Sequence, residues 1–554
     1  MYSRRFLAGA LLAAVSACAV PEPVEAPGAQ LDVLVDEYIN LAGRRSDRWN
    51  ADRLRALGAP DLSAERFAAD LAPRRDLLAR IEATDVELLT GAERTDRTAM
   101  IGFLRSDIYG AERRRAAEME PLLYVPVRQI ARLFPDPVVG GEVDEELAAL
   151  LLFAVPAALE QGKANLGRPP ERATREAIFQ TQSTIDTLDA GREQLRNLDS
   201  VAEEARDALV HYVEFLETDL LPRSDGTWAI GKEHYDYILQ NRWLMDEDAD
   251  EIIAMGRAAF AETTAEAQVV AERMAPGKHW IEVYEELKKD HPTADGLKQA
   301  YQEQMDAAQA FVYENHVLTL PAGENVITVD TPLAQRRSSP FGTFDAVGPD
   351  EDGLQGRLVL TPIEEGLTPE QHELRLSAHH TAWTPIIAVH EAYPGHHAQA
   401  LKVYENPRRL RHYVRESIFS EGWGLFTEQL MFELGFLQGD NVKLTQLRNR
   451  LWRAARVILE ASLHTGRMTF EEAVDFLVEE VRFDRMAAEL EVGMYTGRPT
   501  YFLGYLIGSM KIEEMRDEWI ARYGEPTEPR ELYDKLLTIG SLPPALVRAE
   551  LLGE

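Results

Sequence analysis

Residues 389–397 read Val389-His390-Glu391-Ala392-Tyr393-Pro394-Gly395-His396-His397. Imidazoles, a carboxylate and a helix-breaking Pro-Gly pair fall within one short run, and these are the parts of a hydrolytic metal site. The common zinc-hydrolase arrangement sets two His four residues apart on one helical face, with a Glu beside the first as general base. Here Pro394 stands four residues after His390, and the imidazoles come later, at His396 and His397.

On an ideal helix four residues turn about 400° and rise about 6 Å, so both rings reach one ion. Six residues turn about 600° and point His396 away from His390. Seven turn about 700°, which aligns His397 but sets it roughly 10.5 Å along the axis. With Zn–N bonds of about 2.0–2.1 Å, neither choice suits an unbroken helix. Pro394 has no N–H for the His390 carbonyl and its ring clashes there. Gly395 adopts backbone angles closed to other residues. Together they predict a local bulge that brings His396 to the second ligand position, with His397 as the rival. An HE pair alone reads as a helix end near a Pro kink; the longer pattern inside an apolar run (Trp383, Pro385 to Val389) favours the metal site.

A site with two His needs a third protein ligand and an open position for water. Glu421, in Ser417-Ile418-Phe419-Ser420-Glu421-Gly422-Trp423-Gly424, is the candidate, early in a segment with helical texture. Taken alone it reads as an acid favoured by the dipole at a helix N-terminus. Gly422 and Gly424 remove bulk on either side of Trp423 and let this helix approach the His helix. Glu428, seven residues on, falls on roughly the same face and is placed to orient a ligand.

These stretches, with Arg453 to Ala473 and Arg498 to Ile512, resemble the bacterial "domain of unknown function 885" family, which is regarded as related to the gluzincin metallopeptidases. The resemblance runs from about residue 33 to near the C-terminus, with its weight on 385–510. It implies a mainly α, large multi-helix, zincin-like metallopeptidase fold, with a small β-sheet beside the active-site helix and a central cleft. It further implies a zinc-dependent hydrolase, with His390, His396 and Glu421 as metal ligands and Glu391 as general base. Tyr505 stands at the family's late Tyr position and His464 at its His after an Arg-rich helix; both are candidate catalytic donors, with Tyr501 the competitor of Tyr505. Glu460 stands where the family often has Asp, Ser462 where it has Gly, and Met494 where an Arg precedes the Tyr.

Zinc in such a site acidifies a water and polarises a carbonyl, a neighbouring carboxylate takes the water proton, and the developing oxyanion needs further donors. Arg453, Arg456 and Arg498 are candidates for binding a substrate carboxylate bidentately, against the blander reading of structural ion pairs. One zinc per chain is expected, although manganese or iron also suits these ligands.

The first residues, Met1 to Pro23, set two Arg before an apolar run that ends in small residues, the pattern of a secretory signal. Val15-Ser16-Ala17-Cys18 fits a lipobox, so 1–17 reads as signal peptide, Cys18 as the lipidated residue and 18–30 as a tether. Cys18 is the one Cys of the chain, which excludes a disulfide framework and thiol catalysis. No later run is read as long and apolar enough to span a membrane. A net charge of −34, or −36 without Arg4 and Arg5, argues against nucleic acid and against adhesion to anionic lipid. The expectation is a periplasm-facing envelope lipoprotein that hydrolyses peptides and touches the membrane only through its anchor.

Residues 31–235 read as an N-terminal helical lobe and 236–554 as a catalytic helical lobe. A Pro/Gly-rich stretch at 319–363 carries three β-prone runs, Val326–Val329, Thr343–Val347 and Arg357–Leu360, so a small sheet is predicted just before the metal helix. An edge of such a sheet is suited to hold an extended peptide. Two further functions fit the same residues: a metal-dependent amidase on non-peptide substrates, and a non-catalytic binding lipoprotein with a vestigial metal site. Three ligand candidates and a neighbouring base favour catalysis over a closed four-ligand structural site.

Overall fold

In a computed structural model the described residues are 27–46, 49, 54–56, 58–134, 142–332, 336, 342–351, 353–364 and 366–554. The stretch read as a signal peptide and Cys18 lie outside them. The first helix, α1 (Pro27–Ser46), already contains residues 27–30, so the last part of the expected tether is helical.

The chain is mainly helical. After α1 come α2 (Leu71–Glu82), α3 (Gly91–Arg114), α4 (Glu145–Asn165), α5 (Glu171–Ala190), α6 (Asp199–Phe215), α7 (Lys232–Arg242), α8 (Ala249–Met274) and α9 (Leu297–Glu314). A three-stranded sheet follows: β1 (Asn325–Asp330), β2 (Gly342–Asp345) and β3 (Gln355–Leu360). Its order is β1-β3-β2, with β1 parallel and β2 antiparallel to β3. All three strands overlap the predicted runs. Helices then resume with α10 (His396–Val403), α11 (Ser417–Glu433), α12 (Asp440–His464), α13 (Arg485–Gly497), α14 (Gly504–Tyr523) and α15 (Pro544–Leu552).

The core divides differently from the two lobes read in the sequence. Leu31 and Val35 of α1, Ile81 of α2 and Phe103 of α3 share one apolar cluster with Met305, Val389, Trp423, Ile512 and Leu551. Charge reinforces this joint: Arg408 pairs with Asp32 at 3.0 Å and with Asp96, and Arg409 pairs with Asp36. A separate cluster holds Tyr124, Leu152, Val155, Leu188, Leu209 and Leu220, joined by Trp49, Leu54 and Leu62 from between α1 and α2, so the stretch between α3 and α7 folds with these residues around a second core. Its α4 is long and apolar enough to cross a membrane, which the sequence reading overlooked; Leu151, Leu152, Val155 and Leu159 of that helix are buried in this core.

Two close approaches bring the functional helices together. A Cβ on Gly422 would lie 2.6 Å from the Gly508 Cα, so α11 and α14 touch backbone to backbone. A Cβ on Gly256 would lie 2.9 Å from Val457 Cγ1, which lets α8 lie along α12. Only glycine fits at Gly422, because the Gly508 backbone cannot move aside as a side-chain tip can.

Candidate metal centre

The helix that carries His390 does not bulge and continue, as the sequence predicts; it ends. Residues Thr384–Ile387 form one α-turn, and Ala388–Ala392 a wider π-type turn. Tyr393 is extended, at φ −131 and ψ 117, and the Tyr393–Pro394 peptide is cis. A new helix, α10, starts at His396. Gly395 is required at the corner: a Cβ there would sit 1.9 Å from the His390 carbonyl oxygen. The Trp423 indole N–H fastens the corner by donating to the Pro394 carbonyl at 2.9 Å.

This break brings His390 and His396 together, with ring centroids 5.0 Å apart and planes at 89°. Glu421 closes the group from α11. Its Oε2 lies 3.3 Å from His396 Nε2 and 3.9 Å from His390 Nε2. One ligand atom from each of the three residues lies within 4.8 Å of the others. Glu421 Oε1 accepts a hydrogen bond from the Tyr501 hydroxyl at 2.8 Å, which leaves Oε2 turned to the imidazoles. His390 Nδ1 donates to Glu428 Oε1 at 2.9 Å, fixing the tautomer that offers Nε2 to the centre. Gly424 makes room: a Cβ there would meet His390 Cε1 and Nε2 at 2.7 Å. Gly422, in contrast, faces Gly508 on α14 and not the His helix.

The electrostatics suit a cation. Burial works to lower the His390 pKa, but hydrogen bonds to Glu421 and Glu428 and the charge of Glu391 outweigh it and hold it at about 9. Burial works to raise Glu421, yet His390 and His396 pull it well below the ordinary carboxylate range. The donor set, two imidazoles and a carboxylate, fits a metal with three protein ligands.

His397 is occupied elsewhere. Its Nε2 donates to Glu324 Oε2 at 2.9 Å, and both side chains are fully buried. Glu324 also accepts from the hydroxyls of Tyr393 at 2.6 Å and Tyr313 at 2.8 Å, and from Gln309 Nε2 at 2.9 Å. This carboxylate, one residue before β1, therefore ties the sheet to the corner after His390. On β3, Gly356 leaves the space that His397 fills, since a Cβ would lie 2.7 Å from its Nδ1.

The other candidates separate. Glu391 follows His390 and is partly exposed. The Tyr505 ring stacks on His390 at 6.3 Å and 16°. Arg456 is a structural ion pair: its Nε donates to Glu491 at 2.7 Å, with both side chains 6% exposed. Arg498 is exposed, its guanidinium 5.4 Å from the Tyr501 ring centre. Arg453 is buried beside Trp452 and Tyr505. His464 is not brought to the cluster. It lies about 12 Å along α12 from Arg456, where its Nε2 donates to the Tyr495 carbonyl at 2.9 Å and its ring packs against Trp228 and Tyr235. Burial pushes its pKa down to about 4, so it is neutral there.

Glu324 and Tyr393 were missed in the sequence, and so was the role of Glu460. The Glu460 Oε2 accepts from the Leu503 N–H at 2.8 Å, and the amides of Thr500, Tyr501 and Phe502 also face the carboxylate. It thus holds the turn that carries Tyr501 to Glu421. Burial, only partly offset by these amides, pushes its pKa up to about 8. Also overlooked were His379, whose Nδ1 meets the Tyr301 hydroxyl at 3.0 Å, and its neighbour His380; burial pushes them down to about 4 and about 3. Two open surface hollows, one lined by Lys402, Glu405 and Asp534, the other by Val33, Glu37 and Pro73, contain none of the cluster's residues, and neither marks the expected central cleft.

The fold has solved relatives. A candidate lipoprotein of unknown function from Shewanella oneidensis superposes with a TM-score of 0.78 at 20% identity, covering 95% of this chain and 99% of that one. A candidate lipoprotein from Colwellia psychrerythraea superposes at 0.75 with 17% identity, again over 95% and 99%. At these identities the likeness is one of fold. No curated protein matches the chain. The sequence profile of bacterial proteins of unknown function called DUF885 matches residues 51–551, and the chain belongs to that family.

Proposed function

We propose that the protein is a zinc-dependent peptidase of the cell envelope, related in its chemistry to the gluzincins. The observation that carries this reading is the convergence of one ligand atom each from His390, His396 and Glu421 within 4.8 Å, beside a partly exposed Glu391. A closed structural site would use four protein ligands, whereas three and a neighbouring carboxylate suit catalysis.

His390, His396 and Glu421 would hold the metal, with Glu428 and Tyr501 fixing two of them. Bound there, zinc supplies Lewis acidity toward a carbonyl and lowers the pKa of water toward about 7. Glu391 takes a proton from the attacking water on its carboxylate and returns it to the leaving amine, so that one peptide bond and one water become an acid and an amine. Tyr505, stacked on His390, is placed to donate its O–H to the developing oxyanion. Burial and the charge of Glu421 hold that hydroxyl protonated, as a donor has to be.

The sequence pattern around Cys18, together with two structural relatives described as candidate lipoproteins, supports an exported, lipid-anchored protein. The test is elemental mass spectrometry of the purified protein beside the Glu421→Ala variant, followed by peptide hydrolysis with Glu391→Gln. We expect about one zinc per chain, lost in Glu421→Ala, and metal retained without turnover in Glu391→Gln. Full turnover in Glu391→Gln would remove Glu391 from its role; no metal in either protein after zinc is supplied would remove the function.

A further inference from the structure

Three arginines are buried among the described residues: Arg411, Arg453 and Arg456. Two have carboxylate partners. Arg411 pairs with Asp96 and with Glu550 at 2.6 Å, and Arg456 with Glu491 at 2.7 Å. Arg453 differs. It is 4% exposed, has no carboxylate at ion-pair distance among the described residues, and its buried Nε and Nη1 have no hydrogen-bond partner. One turn before it on the same face of α12, Asn449 is 0% exposed, and both its side-chain nitrogen and oxygen are unpartnered. The chain carries a net charge of −34, so acidic residues to neutralise Arg453 are abundant, yet none is seated against it. The acidic group that acts on it electrostatically is Glu428, which is committed to His390. The other charges in that field, Arg448 and Arg456, are cations.

A buried cation is retained where something compensates it, since an unpaired one is strongly disfavoured. The position says what that is. The Arg453 guanidinium lies 5.7 Å from the Tyr505 ring centre, and that ring lies 6.3 Å from the His390 ring. These two spacings bound its distance from the His390 ring at about 12 Å. An extended peptide advances about 3.3–3.6 Å per residue, so a group bound at Arg453 is one to three residues from a bond seated at the metal ligands.

We propose that Arg453, with Asn449 beside it, binds a carboxylate of the peptide substrate, and that the carboxylate is the free C-terminus. The enzyme then removes one to three residues from peptide C-terminal ends. A guanidinium offers paired N–H groups to a carboxylate in a fixed fork, and an amide N–H adds a third donor. The substrate supplies the negative charge that the protein leaves out. The identity of the substrate rests on the peptidase reading above; binding of the carboxylate does not.

The test uses the zinc-loaded full chain bearing Glu391→Gln, and fluorescein-labelled hexapeptide pools lacking Asp and Glu. One pool ends in a free carboxylate and one in an amide, and a third amide pool carries a single internal Glu. Anisotropy titration should show the free-acid pool binding about 10- to 100-fold tighter than the amide, the worth of hydrogen bonds to a charged group. With Arg453→Ala added, acid and amide should bind alike, and Arg453→Lys should recover part of the preference. Arg453→Met should keep or raise the melting temperature, because it removes a buried cation without a carboxylate partner. Equal binding of the acid and amide pools, or binding of neither, overturns the proposal; a preference equal in Arg453→Ala does so as well. If the internal-Glu amide binds as well as the free acid, the C-terminal assignment is overturned in favour of an acidic side chain. Acid-selective binding without cleavage by the native enzyme would refute the peptidase reading alone. Cleavage of acid and amide at equal rates would refute this proposal alone.

Discussion

Replacing Gly424 with Ala adds one methyl group against His390. Its carbon would lie 2.7 Å from both Cε1 and Nε2 of the ring and 3.1 Å from Cδ2. Carbon contacts are comfortable at about 3.5–4.0 Å, so the ring has to recede by close to 1 Å. It is tied on its far nitrogen to Glu428 at 2.9 Å and packed on the Tyr505 ring, so receding either stretches that bond or turns Nε2 away from Glu421 Oε2. Loss of an orienting contact of this kind typically costs about 10- to 100-fold in metal affinity. The effect on stability is small by comparison. Ala gains about 1 kcal/mol of helix propensity over Gly, against roughly 1–3 kcal/mol for one overpacked methyl. Zinc affinity is measured by competition with a chromophoric chelator, and stability by calorimetry on the chelator-stripped protein. We expect a large loss of affinity with a melting temperature within a few degrees of the parent. Gly422→Ala should behave in the opposite way, because its methyl meets the Gly508 backbone and pushes α11 from α14. Undiminished zinc affinity in Gly424→Ala would show that His390 does not reach the metal through Nε2.

Other consequences can be checked in parallel. Glu460, with a pKa raised to about 8 in the folded chain, stays protonated through a window in which the unfolded chain, with its pKa near 4.5, has lost the proton. The native state then binds more protons, so stability falls as pH rises from about 4.5 to 8, by on the order of 5 kcal/mol. Glu460→Gln keeps an acceptor for the Leu503 amide and should flatten this slope in urea titrations at pH 5, 6.5 and 8; an unaltered slope would mean that Glu460 is ionised in the fold. His396→Ala should abolish zinc binding with little change in stability. His397→Ala should leave Glu324 short of a donor, cost about 1–3 kcal/mol and retain the metal; the reverse pattern would exchange the two His in their roles. Arg456→Met strands Glu491 between Trp452 and Tyr495 and should cost about 3–5 kcal/mol, and a variant as stable as the parent would show that the pair contributes nothing.

The parts of the site written in local spacing were legible. His390, His396, Glu421 and Glu428 follow from ligand chemistry and helix geometry, and Pro394-Gly395 announces an interruption between the two His. The form of that interruption was not legible, because a bulge and a complete break place His396 alike and differ only in what packs around them. His464 was misplaced for a related reason: a residue name on a long buried helix does not reveal which neighbour its face meets. Glu324 lies 73 residues from His397, and nothing in its own neighbourhood marks it; its role arises when the sheet docks on the corner. The strands were found because β-prone runs between Pro and Gly form a local signal. The division of the core was not, since Arg408 and Arg409, which pair with Asp32 and Asp36 of α1, lie more than 370 residues away.

That last separation has a consequence for how the protein is made. The stretch between α3 and α7, with Trp49, Leu54 and Leu62 from before α2, encloses a core that can condense as soon as these residues emerge from the ribosome. The core around the metal ligands cannot, because α1 waits for Arg408 and Arg409, and Arg411 in turn waits for Glu550 in α15. Contacts of such high sequence separation form slowly, and in large chains the waiting surfaces are exposed to aggregation. The part that holds His390, His396 and Glu421 therefore closes last, from both ends of the chain at once. A nascent chain stopped before α15 would carry a folded helical unit in its middle and no metal centre around it.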